Sequence, residues 1–237
     1  MACCSVTLSA NAGISLIFPT LRILVDAVHN DPQNGFSVVS QALFDAMMMH
    51  PDFQEPDLLF FSHCHGDHYS GALTETLMEA WPDAPLLMPE QDFPGQILLI
   101  GKQQEFLVNG VSLRFIRLPH DGTNYGSTPL YALLADADGF RVLIPGDCRI
   151  ACPVLEEAIS GIPIDLAILN FPWATLGRGR RFLENVMKPA HVLLYHLPFP
   201  EDDLYGYRKN AERFSRELKL PDVRLLDEPL QNERIIY

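Results

Sequence analysis

The chain has 237 residues, of which 48% are hydrophobic and 20% are charged. This composition supports a sizeable core and excludes intrinsic disorder, and we expect one domain over residues 1–237. The formal net charge of −13 disfavours long nucleic acid as a partner, because an acidic surface repels phosphate backbones.

The sequence carries no signal for a membrane or for export. No run approaches the roughly 18 apolar residues that cross a bilayer, and the N-terminus lacks the basic segment of a signal peptide. The five cysteines have no paired spacing, which is typical of free thiols in a reducing compartment. We therefore expect a cytoplasmic protein without a membrane partner, and a homo-oligomer is left open.

The hydrophobic pattern predicts strands and helices that alternate after an opening group of strands. Residues 89–103 receive no assignment. In chain order, the predicted elements are strands at 4–9, 14–18 and 21–27, a helix at 36–49, a strand at 57–62, a helix at 71–80, a strand at 86–88, hairpins over 106–113 and 130–145, and then helices at 152–160, 179–187 and 203–218 alternating with strands at 164–170, 191–195 and 222–226. This order predicts a mixed α/β fold with helices outside the sheets.

The densest group of chemically competent side chains is a histidine–aspartate segment that follows the predicted strand 57–62. It contains His63, His65, Asp67 and His68. On an extended segment His63 and His65 point to the same side, and the next two side chains follow where the chain turns towards a helix. A pattern of this kind arises by chance about once in a thousand chains of this length and composition. We therefore interpret the segment as a metal-binding motif.

Three further polar residues close apolar runs at predicted strand ends: His120, Asp147 and His196. Taken singly, each is equally consistent with a cap or with a satisfied core residue. Together with the histidine–aspartate segment they complete a ligand set.

The order of these residues resembles the metallo-β-lactamase superfamily, whose pattern is a strand-end Asp, then H-x-H-x-D-H, then a His, an Asp and a His after later strands. Asp26 occupies the first position. The resemblance runs from about residue 5 to 227, and it is nearest to small stand-alone hydrolases of the ascorbate-phosphate lactonase-like and ribonuclease Z-like groups. It implies a four-layer αββα sandwich with the site at one edge of the two sheets.

The resemblance also implies two divalent metal ions. Their ligands would be His63, His65 and His120 for the first ion, Asp67, His68 and His196 for the second, and Asp147 as a bridge. Asp26 would orient a metal-bound imidazole. Nitrogen and oxygen ligands favour Zn²⁺ and leave Mn, Fe and Ni open.

Such a site would make the protein a dinuclear metal-dependent hydrolase. Two ions about 3.5–4 Å apart can share a water and lower its pKa towards 7, so that a bridging hydroxide attacks a carbonyl or phosphoryl centre. Asp67 or Asp147 could then accept a proton, while His29 and Asp121 are candidates by position for the acid that protonates the leaving group. Asp147 argues against β-lactam hydrolysis, because the β-lactamases that use a cysteine ligand lack it. We expect a small, anionic ester, lactone or phosphodiester as the substrate.

Candidate substrate contacts are two aromatic residues and an arginine cluster: Tyr125, Trp173, Arg178, Arg180 and Arg181. Guanidinium groups suit phosphate and carboxylate oxygens. The alternative interpretation of the arginines is a solvated helix face.

Three other functions remain open at this point. The same superfamily includes iron-dependent oxidoreductases of the dioxygenase type. A tRNA-processing nuclease would need a basic arm that the sequence lacks, and a metal-binding relative without activity would be expected to lose ligands.

Overall fold

The structure is a computed structural model that describes residues 2–32 and 35–237. Within these residues, the strands are β1 (Cys3–Leu8), β2 (Ile14–Phe18), β3 (Leu21–Val25), β4 (Leu58–Phe60), β5 (Leu86–Met88), β6 (Ile97–Leu98), β7 (Gln103–Val108), β8 (Val111–Leu118), β9 (Leu130–Ala137), β10 (Phe140–Ile144), β11 (Leu166–Asn170), β12 (His191–Tyr195), β13 (Asp222–Leu225) and β14 (Asn232–Ile236). The α-helices are α1 (Gln41–Met47), α2 (Gly71–Ala80), α3 (Pro153–Ile159), α4 (Pro172–Thr175), α5 (Gly177–Phe182) and α6 (Tyr207–Ser215). A π-helical turn, Leu183–Met187, follows α5 directly.

The chain forms two compact units. The first consists of Met1–Leu99, His196–Leu204 and Leu226–Tyr237, and the second of Ile100–Tyr195 and Tyr205–Leu225. Each unit holds one mixed sheet.

The sheet of the first unit has the strand order β14-β1-β2-β3-β4-β5-β6. Strands β14, β1, β2 and β3 pair antiparallel, and β3, β4, β5 and β6 pair parallel. Apolar side chains such as Ile14, Leu16 and Ile23 are entirely buried, because these strands are covered and not open to water.

The sheet of the second unit has the order β13-β12-β11-β10-β9-β8-β7. Strands β7 to β10 form antiparallel hairpins, and β10 to β13 pair parallel. A core that includes Leu143, Leu169, Trp173 and Leu194 joins this sheet to α3, α4 and α5. In both units the hairpins therefore precede a parallel part of the sheet, where polar side chains at the carboxyl ends of strands collect at one edge.

The predicted fold class, a mixed α/β protein, is confirmed by these two mixed sheets with their helices. Helix α2 and strand β5 have the predicted bounds. The single domain over 1–237 stays a prediction.

Several predicted bounds were wrong. The helix expected at 36–49 is confined to α1, because the Ser40 side chain accepts a hydrogen bond from the Leu43 amide and caps the helix there. The helix expected at 179–187 begins two residues earlier and changes to π-helical geometry. Helix α4 and the edge strand β14 were not predicted.

The five cysteines, all in the described part of the chain, are free thiols. Among the described residues, no helix has the length and apolar character needed to cross a bilayer.

Candidate metal centre

The histidine–aspartate segment lies in the first unit, where the chain leaves β4 and turns towards α2. The amides of His68 and Tyr69 both donate to the carbonyl of His65, at 2.9 Å each, and this turn brings the imidazoles together. The ring of His63 lies 4.1 Å from that of His68 and 4.7 Å from that of His65, centre to centre. The motif is therefore a compact cluster and not an extended row.

A second part of the first unit, the segment His196–Leu204, adds His196 to this cluster. The Nε2 atoms of His68 and His196 are 3.1 Å apart, and Nε2 of His196 is 3.8 Å from Oδ2 of Asp67. The ligand atoms of these three residues lie within 4.8 Å of one another, and all three residues are buried. Two imidazoles and a carboxylate thus converge on one point.

The carboxylate of Asp26 fixes the orientation of two histidines. Its Oδ2 lies 2.9 Å from Nδ1 of His68, and its two oxygens accept from the amide and hydroxyl of Ser62, at 2.7 Å and 2.6 Å. Because the Ser62 hydroxyl proton is used in this way, its oxygen accepts from Nδ1 of His63 at 3.0 Å. A carboxylate and an oxygen that has donated its proton can only accept, so Nδ1 carries the proton in both rings. Both Nε2 atoms therefore present lone pairs.

These residues fit a bound cation. Two Nε2 atoms 3.1 Å apart would compete for one proton, whereas a metal ion accepts both lone pairs. Two nitrogens at the usual 2.0–2.1 Å from one tetrahedral zinc ion are roughly 3.3 Å apart, close to the observed separation. The carboxylate–imidazole contact behind His68 is the arrangement that commonly supports a metal-bound histidine.

His29 also lies in the first unit but cannot act as the leaving-group acid for which its position made it a candidate. Its side chain is fully buried, and its Nε2 donates to the carbonyl of Ala10 at 3.0 Å. Burial lowers the pKa of His29 to about 4, so the ring is neutral at neutral pH. A neutral imidazole whose only proton is held by a carbonyl has no proton to give.

The other two predicted ligands, His120 and Asp147, lie in the second unit. They occupy adjacent segments, because His120 forms an isolated bridge with Cys148 and the amide of Asp121 donates to the carbonyl of Asp147 at 2.9 Å. Nδ1 of His120 donates to the carbonyl of Asp121 at 2.6 Å, which leaves its Nε2 as an acceptor.

Sequence reasoning missed Asn170, at the end of β11. Its Nδ2 donates to Oδ1 of Asp147 at 3.1 Å and holds that carboxylate in place. The available signal was the same as for His120 and Asp147, namely a polar side chain that closes an apolar strand.

The two aromatic candidates for substrate contact differ in placement. Tyr125 is 44% exposed, and its ring lies 5.1 Å from that of His120, within the second unit. Trp173 has no exposed surface and packs against Phe182 in the core. The structure therefore assigns Trp173 to packing, which corrects the expectation that it contacts substrate.

The three arginines also have different surroundings. Arg180 donates to the carbonyls of Ala174 and Thr175 at 2.8 and 2.9 Å and covers the ring of Phe214, so it closes the end of α4. Arg178 pairs with Asp121 at 3.4 Å, and Arg181 is exposed. Arg180 is therefore half-buried and bonded to backbone carbonyls, which is neither the solvated helix face nor the anion contact considered from the sequence.

No family model and no curated protein matches the chain. Solved structures do match it. The metallo-beta-lactamase fold protein YhfI from Bacillus subtilis is 13% identical, with a TM-score of 0.69 over 99% of this chain and 100% of its own. Igni18, described as a metallo hydrolase from Ignicoccus hospitalis, is 14% identical, with a TM-score of 0.64 over 99% of both chains.

A third similar structure has a different chemistry. CmlA from Streptomyces venezuelae, described as a diiron beta-hydroxylase, is 12% identical, with a TM-score of 0.67 over 98% of this chain and 54% of its own. The chain has the metallo-β-lactamase fold, which confirms the fold that the resemblance implied. The narrower groups named there stay a prediction.

Proposed function

We propose that the protein is a metal-dependent hydrolase that acts on a small anionic ester, lactone or phosphodiester. The observation that carries the proposal is the convergence of Asp67, His68 and His196, with the Nε2 lone pair of His68 fixed by Asp26. Without a cation the facing Nε2 atoms of His68 and His196 share a single proton, whereas a metal ion accepts the lone pairs of both.

Each polar residue of the first unit has a separate task in this proposal. When bound, divalent ions would lower the pKa of a water molecule and polarise the substrate oxygen. Asp26 and Ser62 hold the imidazoles of His68 and His63 in the ligand tautomer. Asp67 supplies a carboxylate for the ion and for the transferred proton.

The sequence pattern leads us to expect that His120 and Asp147 complete the ligand set. Support comes from the second unit alone, where both side chains are already oriented by Asp121 and Asn170. With them the proposed set is the seven residues of the resemblance, which serve two ions.

Zinc is favoured by the nitrogen and oxygen donors, with Mn, Fe and Ni as alternatives. We expect a cytoplasmic protein with a small-molecule substrate.

Metal analysis and a substrate screen test the proposal. Protein purified without added metal should hold about two equivalents of a divalent ion, and His68→Ala and His196→Ala should lose at least one. His191→Ala is the matched control, since His191 pairs with Asp222 outside the cluster. Aryl phosphodiesters, phosphomonoesters, lactones and thioesters form the screen, with Asp67→Ala as the inactive reference. Equal metal content in all variants would refute the metal site.

The second candidate is an iron-dependent oxidoreductase, which the likeness to CmlA favours. The same preparations distinguish the two functions. A hydrolase loaded with zinc should turn over a substrate of the screen without oxygen uptake, whereas the oxidoreductase should hold iron and consume oxygen.

A further inference from the structure

The turn between β1 and β2 is buried, although turns normally lie at the surface where water satisfies their backbone. All five residues from Ser9 to Gly13 are buried. The turn is closed by two backbone bonds, from the Ser9 amide to the Gly13 carbonyl at 2.8 Å and from the Gly13 amide to the Ala10 carbonyl at 2.7 Å. A polar turn in this position needs a specific partner.

Its central residue, Asn11, contacts the backbone of two proposed metal ligands. Nδ2 of Asn11 donates to the carbonyl of Asp67 at 3.1 Å, and the carbonyl of Asn11 accepts from the amide of His196 at 2.9 Å. Asn11 also forms an isolated bridge with Leu197. Asn11 thus links the segment that contains Asp67 and His68 to the segment that contains His196. His68 and His196 are 128 positions apart in the sequence.

The backbone at these positions is unusual. Asn11 has φ +47° and His196 has φ +58°, in the left-handed region that asparagine tolerates better than most residues. Within the described residues, the buried Oδ1 of Asn11 has no hydrogen-bond partner. The side chain therefore gains from its Nδ2 bond alone while its oxygen is left unsatisfied, which is a poor arrangement for stability.

The turn itself is held firmly. Nε2 of His29 donates to the Ala10 carbonyl at 3.0 Å, beside Asn11. A Cβ on Gly13 would lie 2.6 Å from the carbonyl oxygen of Asp26, so the turn sits directly on the backbone of that residue. Because the turn cannot shift freely, Asn11 can set the positions of the groups it binds.

We propose that Asn11 is a positioning residue that keeps Asp67 and His196 at the spacing required for one shared metal ion. The inference rests on the proposed metal site and adds a determinant of affinity outside the ligands. A merely structural role would change stability and leave the affinity for the ion unaffected.

Asn11→Gly separates these roles. Glycine adopts the left-handed backbone and keeps the carbonyl that binds the His196 amide, so only the bond to Asp67 is lost. Asn109→Gly is the matched control, because Asn109 has φ +49° in the exposed turn between β7 and β8.

The readout is the affinity for Zn²⁺, measured by competition with a chelator, and the absorption spectrum of the Co²⁺ protein. The wild type and His196→Ala are titrated with Zn²⁺ first. The binding step that the wild type shows and His196→Ala lacks is the one to be followed. In Asn11→Gly that step should weaken 10- to 100-fold, the range typical of groups that support metal ligands. If His196→Ala still binds Zn²⁺ in another step, the affinity of that other step should change less than twofold when Asn11 is replaced. Asn109→Gly should have the same Zn²⁺ affinity as the wild type.

Two results would overturn the inference. One is an unchanged affinity in Asn11→Gly, even with a lowered melting temperature, and the other is an equal loss in a step that His196→Ala leaves intact. If the wild type itself binds no ion, the proposed function fails and the inference falls with it. If the wild type binds and Asn11→Gly binds equally well, only the inference fails.

Discussion

Oδ2 of Asp26 lies 2.9 Å from Nδ1 of His68, and neither side chain has any exposed surface. The same carboxylate accepts two further bonds from Ser62, and Asp26 has φ +47°. A buried carboxylate with three donors and a left-handed backbone is tightly constrained. The direction of the His68 ring is therefore set before any ion binds.

Asp26→Asn should weaken both the fold and the metal site. Asparagine offers one acceptor oxygen and an NH₂ group to a site with three donors, so at least one buried donor loses its partner. We expect a loss of about 1–3 kcal/mol in the free energy of unfolding of the metal-free protein, and a 10- to 100-fold weaker affinity for Zn²⁺. Urea denaturation and chelator competition measure the two effects.

The exposed Asp83 provides the control, since Asp83→Asn changes the charge by the same amount at the surface. It should leave both quantities unchanged within about 0.5 kcal/mol. An equal response of the two variants would mean that net charge, and not the contact with His68, is responsible.

Ser62→Ala should release the ring of His63 while leaving the contact between Asp26 and His68 in place. The alanine removes the acceptor of the His63 Nδ1 proton, so the Nδ1 tautomer loses the hydrogen bond that favours it. Long-range ¹H–¹⁵N spectra of the metal-free protein report the tautomer directly. We expect His63 to become a mixture of tautomers and His68 to remain protonated on Nδ1. A change at His68 and none at His63 would contradict this assignment.

Gly13→Ala should destabilise the first unit. The new Cβ would meet the Ser9 hydroxyl and lie 2.6 Å from the Asp26 carbonyl oxygen, and a backbone atom cannot turn aside as a side chain can. Overpacking of this kind costs about 1–3 kcal/mol. Gly126→Ala is the control, because a Cβ there meets nothing within 4 Å and the φ of −61° suits alanine. Similar melting temperatures for the two variants would argue against the close approach.

His29 should make the metal-free protein less stable in mild acid. Its pKa is lowered from 6.5 to about 4 by burial, so between these values the unfolded chain binds a proton that the folded chain does not. The stability contribution is present above pH 6.5 and is lost as the pH falls towards 4, with a slope of up to about 1.4 kcal/mol per pH unit. In His29→Gln, whose amide can still donate to Ala10, the free energy of unfolding should fall less steeply over this range. Parallel curves would contradict the prediction.

Much of the fold could be predicted because its strands and helices carry their own local signals. Helix α2 is stopped before Pro82, and β5 is a short apolar run between prolines. Strand β14 has no such signal, since it is an edge strand in which charged and apolar residues mix, and it forms only by pairing with β1. Helix α4 is only four residues long, which is too short for a periodic pattern.

The candidate ligands could also be predicted, whereas the residues that hold them in position by hydrogen bonds could not. Four candidate ligands within six residues are visible without a structure. The contacts of Ser62, Asn11 and Asn170 depend on which distant backbone or carboxylate lies beside them, and no spacing encodes that. The predicted role of Trp173 failed for the related reason that an aromatic residue at a strand end can point into the core or out of it.

The first unit is made of three separate stretches of chain, and His196 belongs to the second of them. During synthesis on the ribosome, the first 99 residues emerge while this ligand, the Leu197 bridge to Asn11 and strand β14 are still untranslated. A nascent chain of that length has Asp67 and His68 but lacks their third partner and one edge of its sheet. An ion shared by these three side chains could therefore be bound only after the ribosome has passed residue 196.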